Sequence, residues 1–177
     1  MPTLTAATFR TCLQVGLFSL AFPLPAHASQ SHCTDREQTV FSCRIAKSEK
    51  IVSLCASRNL TKNDGKLAYR FGPRGKVELE FPPSATNSLQ QFRYAHYFRF
   101  QTDRTEVSFT NGKFSYSVFD YYDEQAKPKY ARGVSVSNAE GNGREIQIFC
   151  GGKATSELKI LDGIVPCDTD NALASCN

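Results

Sequence analysis

The sequence predicts an all-β protein, a single antiparallel domain built as a β-sandwich or a partly closed barrel of roughly eight to ten strands and cross-linked by disulfides. Short runs of alternating apolar and polar residues are separated by glycine, proline and asparagine, which is the pattern of antiparallel strands. No window repeats apolar residues at helical spacing over three turns. The cysteines that follow the N-terminal leader are even in number, which indicates disulfide pairing.

The first element along the chain is a predicted signal peptide, residues 1–28. Arg10 is its one charged side chain, and Cys12–Phe22 forms an apolar core too short to cross a bilayer. Ala26-His27-Ala28 then gives the small-x-small pattern that a signal peptidase accepts. Cleavage there leaves residues 29–177 as a single exported β domain, periplasmic or extracellular. No later run is apolar and long enough to predict a transmembrane segment.

Six cysteines remain after the leader: Cys33, Cys43, Cys55, Cys150, Cys167 and Cys176. An even number in an exported chain predicts disulfides, which persist outside the reducing cytosol. No Cys-x-x-Cys pair occurs, which argues against a zinc knuckle and a thioredoxin-like redox pair. We predict a local Cys167–Cys176 loop and a long-range bond from Cys150 to one of the three N-terminal cysteines.

The charge balance excludes one class of function. Without Arg10, the chain has 20 Lys and Arg against 17 Asp and Glu. This mildly basic balance is far from that of a dedicated nucleic-acid binder, so we predict no nucleic-acid partner. No phosphate-binding loop, zinc-protease motif or nucleophile elbow is present, and we predict neither a cofactor nor a metal site.

The strands are predicted in order from the alternating runs. We place them near residues 39–45, 50–56, 67–71, 77–81, 92–101, 105–110, 113–119, 132–137, 145–150 and 157–161. Pro82-Pro83 ends the fourth strand, because proline removes a donor of the hydrogen-bond ladder. At most a short helical turn fits Ser84–Gln91 or the Asp170–Ala174 tail.

The middle of the chain predicts a three-stranded meander. Asn111-Gly112 is a typical two-residue hairpin turn, and centring it there pairs Phe109 with Phe114. Because side chains alternate between the faces of a strand, this register collects the apolar residues on one side.

A second turn at Thr102-Asp103 pairs Phe98 with Val107 and extends the same face. The predicted core face therefore consists of Phe92, Tyr94, His96, Phe98, Phe100, Val107, Phe109, Phe114, Tyr116 and Val118.

Three acids follow this meander: Asp120, Asp123 and Glu124. The alternation stops at Phe119, which predicts that the strand ends and that the acids lie in a surface loop. Lys127, Lys129 and Arg132 follow closely and balance their charge. The alternative is a small secreted hydrolase that uses these carboxylates to cleave glycans or esters.

The opposite face of the fifth predicted strand carries arginine and tyrosine: Arg93, Tyr97 and Arg99, with Arg104 beyond the turn. These side chains suit an anionic glycan or the acidic rim of a protein partner. The alternative interpretation is a solvated sheet face whose arginines discourage edge pairing.

Only two histidines follow the leader. His32 lies near the new N-terminus, where we expect a mobile side chain. His96 falls on the aromatic face, where a packed histidine with one hydrogen bond is the expected role.

The leading functional hypothesis is an exported, non-enzymatic binding or inhibitory module that recognises a protein or an anionic ligand. The first alternative is the hydrolase built on Asp120, Asp123 and Glu124. The second is a structural protein of the cell envelope. The oligomeric state is left open.

Overall fold

The computed structural model describes residues 31–141, 143–171 and 173; the predicted signal peptide lies outside this range. Nine strands form one antiparallel sheet in the order β4-β3-β2-β1-β9-β8-β7-β6-β5. The strands are β1 (Glu37–Ile45), β2 (Lys50–Ser57), β3 (Leu67–Pro73), β4 (Leu79–Phe81), β5 (Arg93–Arg99), β6 (Thr102–Asn111), β7 (Phe114–Asp123), β8 (Tyr130–Asn138) and β9 (Ile146–Ser156). Two 3₁₀ helices, Ser88–Gln91 and Leu158–Leu161, complete the described elements.

The sheet curls into a half-barrel, which confirms the all-β class and selects the partly closed barrel over the sandwich. Its two edge regions approach each other across the core. Phe81 of β4 stacks on Phe109 of β6, with ring centroids 4.4 Å apart, and meets Phe92 edge-on at 5.4 Å. At the free edge of β5, Tyr94 forms an isolated parallel bridge with Cys167 of the C-terminal segment.

The core lies on the concave face of the sheet. Its largest fully buried side chains include Tyr69, Phe41 and Phe92, with Leu158 and Leu161 from the second 3₁₀ helix. No helix among the described residues is long and apolar enough to cross a membrane.

The predicted strand at 157–161 is wrong, because this segment is the 3₁₀ helix Leu158–Leu161. Both leucines are buried in the core. A 3₁₀ helix has three residues per turn, so side chains three apart point the same way, whereas in a strand they would face opposite sides. The short helical turn expected within 84–91 is confirmed at Ser88–Gln91. The Asp170–Ala174 alternative falls partly outside the described residues.

Both predicted hairpin registers are wrong, although the predicted faces are retained. Phe109 lies opposite Tyr116, so the turn is Gly112-Lys113, with Gly112 at φ 60° as its first residue. A glycine at the first central position is also an accepted hairpin turn, which the sequence could not distinguish from the predicted one.

The β5–β6 turn is likewise displaced. Tyr94 lies opposite Val107, and the turn is Phe100-Gln101, with Gln101 in the left-handed region at φ 64°. Both displacements preserve which residues alternate together, so each side chain stays on its predicted face. The predicted core membership is nevertheless wrong for three exposed residues. Phe98 and Phe114 lie at strand ends, and Phe100 lies in the β5–β6 turn.

Two disulfides are present among the described residues. Cys43–Cys150 joins β1 to β9 inside the core and confirms the predicted link from Cys150 to the N-terminal group. Cys33–Cys55 ties the segment before β1 to β2. Cys176 lies outside the described residues, so its pairing with Cys167 stays a prediction.

Candidate functional site

The predicted arginine–tyrosine surface lies on the convex side of β5 and β6. Tyr97 and Arg104 are cross-strand neighbours, and Arg99 is two residues further along β5. Arg93 is six residues from Arg99, about 20 Å along a strand. Its guanidinium donates to the backbone oxygens of Gln90 and Phe92, both at 2.8 Å. The structure therefore brings three of the four predicted residues together and separates Arg93 from them.

Arg104 belongs to a polar network on the convex face. Its Nη2 donates to Asp123 Oδ2 at 3.2 Å, and its guanidinium lies 5.6 Å from the centroid of the Tyr121 ring. The Tyr121 hydroxyl donates to Glu106, which also accepts from Ser117 at 2.9 Å. Burial, and then the charge of Glu106, raise the pKa of Tyr121 well above its usual value. Because Arg104 forms a salt bridge with Asp123 and packs on Tyr121, its guanidinium stabilises the contact between β6 and β7.

The end of the β5–β6 hairpin is the most exposed aromatic part of the described chain. We call Phe98, Arg99, Phe100 and Gln101 the hairpin tip. Phe98 is 70% exposed, Phe100 is 87% exposed, and Arg99 between them is exposed. The Gln101 carbonyl accepts the backbone N–H of Glu124 at 3.0 Å, which ties the tip to the start of the β7–β8 loop.

The interpretation of the three acids as loop residues is wrong for Asp120 and Asp123, because β7 continues unbroken to Asp123. Phe119 points to the convex face and is buried there. The Tyr121 ring lies 5.0 Å from it and the Phe149 ring 5.9 Å. The alternation did not fail at Phe119; the strand has apolar cover on both faces at that position.

The acids do not form a cluster. Asp120 faces the concave side and Asp123 the convex side, while Glu124 follows the end of the strand. The pKa of Glu124 is lowered by hydrogen bonds from Lys129 and Tyr122, so this carboxylate is ionised at neutral pH. A glycoside-cleaving acid instead needs a carboxyl group with a raised pKa opposite a second carboxyl group.

The concave face of β5 to β8 carries three cross-strand rows. The deepest row is apolar and belongs to the core: Tyr94, Val107, Val118 and Val134. The middle row is polar: His96, Thr105, Asp120 and Arg132. The outermost row is mostly aromatic: Phe98, Asp103, Tyr122 and Tyr130.

Six residues of the two outer rows line an open cavity of about 290 Å³, which we call the mouth of the half-barrel: Asp103, Thr105, Asp120, Tyr122, Tyr130 and Arg132. Residues 156–159, at the end of β9 and the start of the second 3₁₀ helix, form its other wall. Arg132 Nε donates to Asp120 Oδ1 at 2.7 Å. Asp103 bridges the two walls, because its Oδ1 lies 2.9 Å from His96 Nε2 and its Oδ2 accepts from Lys159 Nζ.

The carboxyl group of Asp103 is ionised at neutral pH. Burial opposes ionisation, but hydrogen bonds from Lys159 and His96 outweigh it and lower the pKa below its usual value. Asp103 therefore does not suit the role of a general acid. It acts as an acceptor that positions His96 and Lys159.

The two histidines are both held in place. His96 is half-buried and bound to Asp103, which agrees with the expected packed role. The expectation of a mobile His32 is wrong, since its backbone N–H donates to Ser53 Oγ at 3.0 Å. Its ring Nε2 also lies 3.0 Å from the Gly72 oxygen. The described residues contain no group of three or more His, Cys, Asp or Glu that could hold a metal ion.

A second depression, of about 550 Å³, lies between the β2–β3 loop and the first 3₁₀ helix. Its charged lining is basic: Arg36, Arg58, Lys62 and Lys66 surround Asp64. These side chains sit on exposed loop residues, and Arg58 donates to the backbone oxygen of Asp35 at 2.7 Å. The charges are solvated and do not converge on one point.

Sequence reasoning missed the mouth. It requires Asp103 of β6, Asp120 of β7 and Lys159 of the second 3₁₀ helix to come together, which only the correct registers produce. One signal was available: β6 places Asp103 and Thr105 on the same side as Val107, so that side changes from apolar to polar towards one end. Such a change marks where a core face becomes an open surface. Comparison with known protein families, with curated proteins and with solved structures found no match.

Proposed function

We propose that the chain is an exported, non-enzymatic binding or inhibitory module that recognises a protein partner through the hairpin tip. The observation that carries the proposal is the exposure of two phenylalanine rings, Phe98 and Phe100, on either side of Arg99. Exposed large apolar side chains that occur singly need no explanation, whereas two together beside an arginine are typical of an interaction surface.

The tip is suited to insert into a partner. Aromatic side chains and arginine are the residues that contribute most to protein–protein binding energy. A two-residue turn held by the Glu124–Gln101 hydrogen bond has little conformational freedom to lose on association. Such a tip fits a cleft with an apolar floor and an acidic rim, because Arg99 would meet the rim while Phe100 enters the cleft.

Export is supported by the disulfides, which persist outside the reducing cytosol. The residues 1–28, with the features of a signal peptide, support the same location. A periplasmic or secreted binding module would need the rigidity that these bonds give to a small sheet.

The hydrolase is less well supported. Its proposed acids point to different sides of β7 or lie beyond it, and Asp120 is paired with Arg132. The anionic-ligand version of the binding hypothesis is also weakened, because Arg104 is opposed by Asp123 and Arg93 is bound to local carbonyls.

The test is retention of a partner by immobilised, oxidised mature chain. Three variants are compared with the wild type: Phe100→Ser, Arg99→Glu and, as a matched control, Phe114→Ser. Phe114 is 52% exposed but lies at the opposite end of β6, beside the β6–β7 turn. Proteins from periplasmic and extracellular extracts are captured, identified, purified and measured for affinity.

We expect one partner to bind the wild type and the Phe114→Ser variant alike. Loss of a central aromatic anchor commonly costs about 2 kcal/mol or more, so Phe100→Ser should weaken binding about thirtyfold. The proposal is wrong if the tip variants bind as the wild type does, or if the chain captures only itself.

A further inference from the structure

We propose that the mouth of the half-barrel is a second binding site, which takes one ring of a neutral carbohydrate. The juxtaposition that carries this inference is a cavity whose floor is the Asp120–Arg132 pair and whose rim is Tyr122 and Tyr130. The site is separate from the contacts of the hairpin tip and does not depend on the proposed protein partner.

The size and position of the mouth suit a small ligand. Barrel mouths are common ligand sites, and ligand pockets usually measure about 300–1,000 Å³. At about 290 Å³ the mouth is just below this range, which suits a single sugar ring with the rest of a chain outside. The opposing wall at residues 156–159 makes the space a cleft instead of a flat sheet face.

The polar groups of the mouth are suited to hydroxyl groups. The Asp120 carboxylate has acceptor capacity beyond the hydrogen bond from Arg132 Nε, and the Arg132 guanidinium carries four further N–H donors. A sugar hydroxyl both donates and accepts, so one hydroxyl can bind the carboxylate and its neighbour can bind the guanidinium. Because Arg132 holds Asp120 in place, this arrangement exists before the ligand arrives.

The aromatic rim supplies the apolar surface that the C–H face of a sugar ring requires. The Tyr122 and Tyr130 rings lie 4.9 Å apart, and the Arg132 guanidinium lies 5.2 Å from the centroid of the Tyr130 ring. These contacts orient Tyr130, yet 56% of this residue remains exposed. Tyr130 therefore presents an oriented, exposed aromatic ring at the edge of a polar cleft, where a sugar ring can stack on it.

The charges of the mouth favour a neutral ligand over an ion. Asp120 is paired with Arg132, and Asp103 is paired with Lys159. Glu157, the remaining charged residue of the lining, is exposed to water. A charged ligand in the cavity would lie close to charges of both signs, so repulsion from one member of each pair offsets attraction by the other. A neutral polyol instead adds hydrogen bonds while every existing pair stays intact.

The test is an NMR titration of the isotope-labelled, oxidised mature chain with trisaccharides of different charge. The neutral probes are cellotriose, maltotriose and chitotriose; galacturonate and glucosamine trimers are the anionic and cationic comparisons. We expect at least one neutral probe to shift the backbone resonances of Thr105, Asp120 and Tyr130 in a saturable manner. Tyr130→Ala should weaken that binding about three- to tenfold, because it removes the stacking surface.

Phe100→Ser and Phe114→Ala serve as controls that distinguish this site from the hairpin tip and from nonspecific binding to exposed aromatic rings. Each removes an exposed aromatic ring outside the mouth and should leave carbohydrate affinity unchanged. Asp120→Asn removes the partner of Arg132 and should shift preference toward the galacturonate trimer. The proposal is overturned if no neutral probe shifts the mouth resonances, if a charged probe binds the wild type more tightly, or if Tyr130→Ala binds as the wild type does.

Discussion

The two sides of the half-barrel differ in how completely the faces of their strands are buried. In β2, the six consecutive residues Ile51–Ala56 are buried, so this part of the sheet is covered on both faces. The concave face of β5 to β8 instead passes from the apolar core to the open mouth and the exposed tip within a few residues. The polar groups around β2 therefore bind other parts of the chain, whereas those on the concave face of β5 to β8 line an open cavity.

The covered region is fastened by an arginine as well as by disulfides. Arg70 of β3 donates to both carboxylate oxygens of Glu37, at 2.7 and 3.0 Å, and to Glu80 at 2.9 Å. It also reaches the backbone oxygen of His32 at 3.3 Å, which holds the segment before β1 against the sheet. Bidentate arginine–carboxylate pairs of this kind are stronger and more specific in geometry than ordinary surface ion pairs.

The largest expected effect comes from removing the core disulfide with Cys43→Ala and Cys150→Ala together. This bond spans a sequence separation of 107 residues, so its loss should lower the free energy of unfolding by about 4–5 kcal/mol on the chain-entropy model. The matched control removes Cys33–Cys55, which spans only 22 residues and should cost about 3 kcal/mol. Urea unfolding of both double variants measures the difference. An equal or larger loss from the Cys33–Cys55 pair would show that local fastening outweighs the long-range link.

Glu37→Gln is expected to have an intermediate effect. Burial opposes ionisation of Glu37, but hydrogen bonds from Arg70 and Thr34 lower its pKa below 4.5. Its contribution to stability is therefore complete above the unfolded pKa and lost as the pH falls through 4.5 and lower. Because both side chains keep some contact with water, we expect a cost of about 1–2 kcal/mol at pH 7.

Unfolding measured from pH 7 to pH 3 tests the sign. The wild type should lose more stability than Glu37→Gln as the pH falls, so that the two curves converge. Glu49→Gln is the control, since Glu49 pairs with Arg44 at 3.6 Å on an exposed surface and should change stability little. Parallel curves for wild type and Glu37→Gln would refute the assigned role of Glu37.

The core and the mouth also differ in how far the sequence predicts them. Alternation alone assigns Tyr94, Val107 and Phe109 to the core face, because a register error of an even number of residues leaves each side chain on its face. The cysteine pattern also indicates that Cys150 bonds to the N-terminal group. It cannot choose Cys43 as the partner, because that choice follows from β1 lying next to β9 in the curled sheet.

The mouth is beyond sequence reasoning for a related physical reason. Asp103, Asp120 and Lys159 lie on different elements and come together at the cavity only when the hairpin turns are placed correctly. Asn111-Gly112 and Gly112-Lys113 are both acceptable hairpin turns that differ little in local free energy. The packing of the rest of the sheet selects one of them. Phe100 is likewise exposed because the β5–β6 turn is centred on Phe100-Gln101 and not on Thr102-Asp103.

The smallest expected effect is at the two turns that bound β6. Gln101 adopts a left-handed conformation, φ 64°, that costs a non-glycine residue about 1 kcal/mol or more. Gln101→Gly relieves this cost but gains unfolded-state freedom, so we expect a net stabilisation of about 0.5 kcal/mol. At the opposite turn, Gly112 has φ 60° and open space where a Cβ atom would lie, so Gly112→Ala should destabilise by about 0.5–1 kcal/mol through backbone strain alone. Urea midpoints of the two variants should therefore move in opposite directions. A lower midpoint for Gln101→Gly would mean that contacts of the glutamine side chain stabilise the tip by more than its left-handed backbone destabilises it. The tip would then owe its rigidity to side-chain contacts.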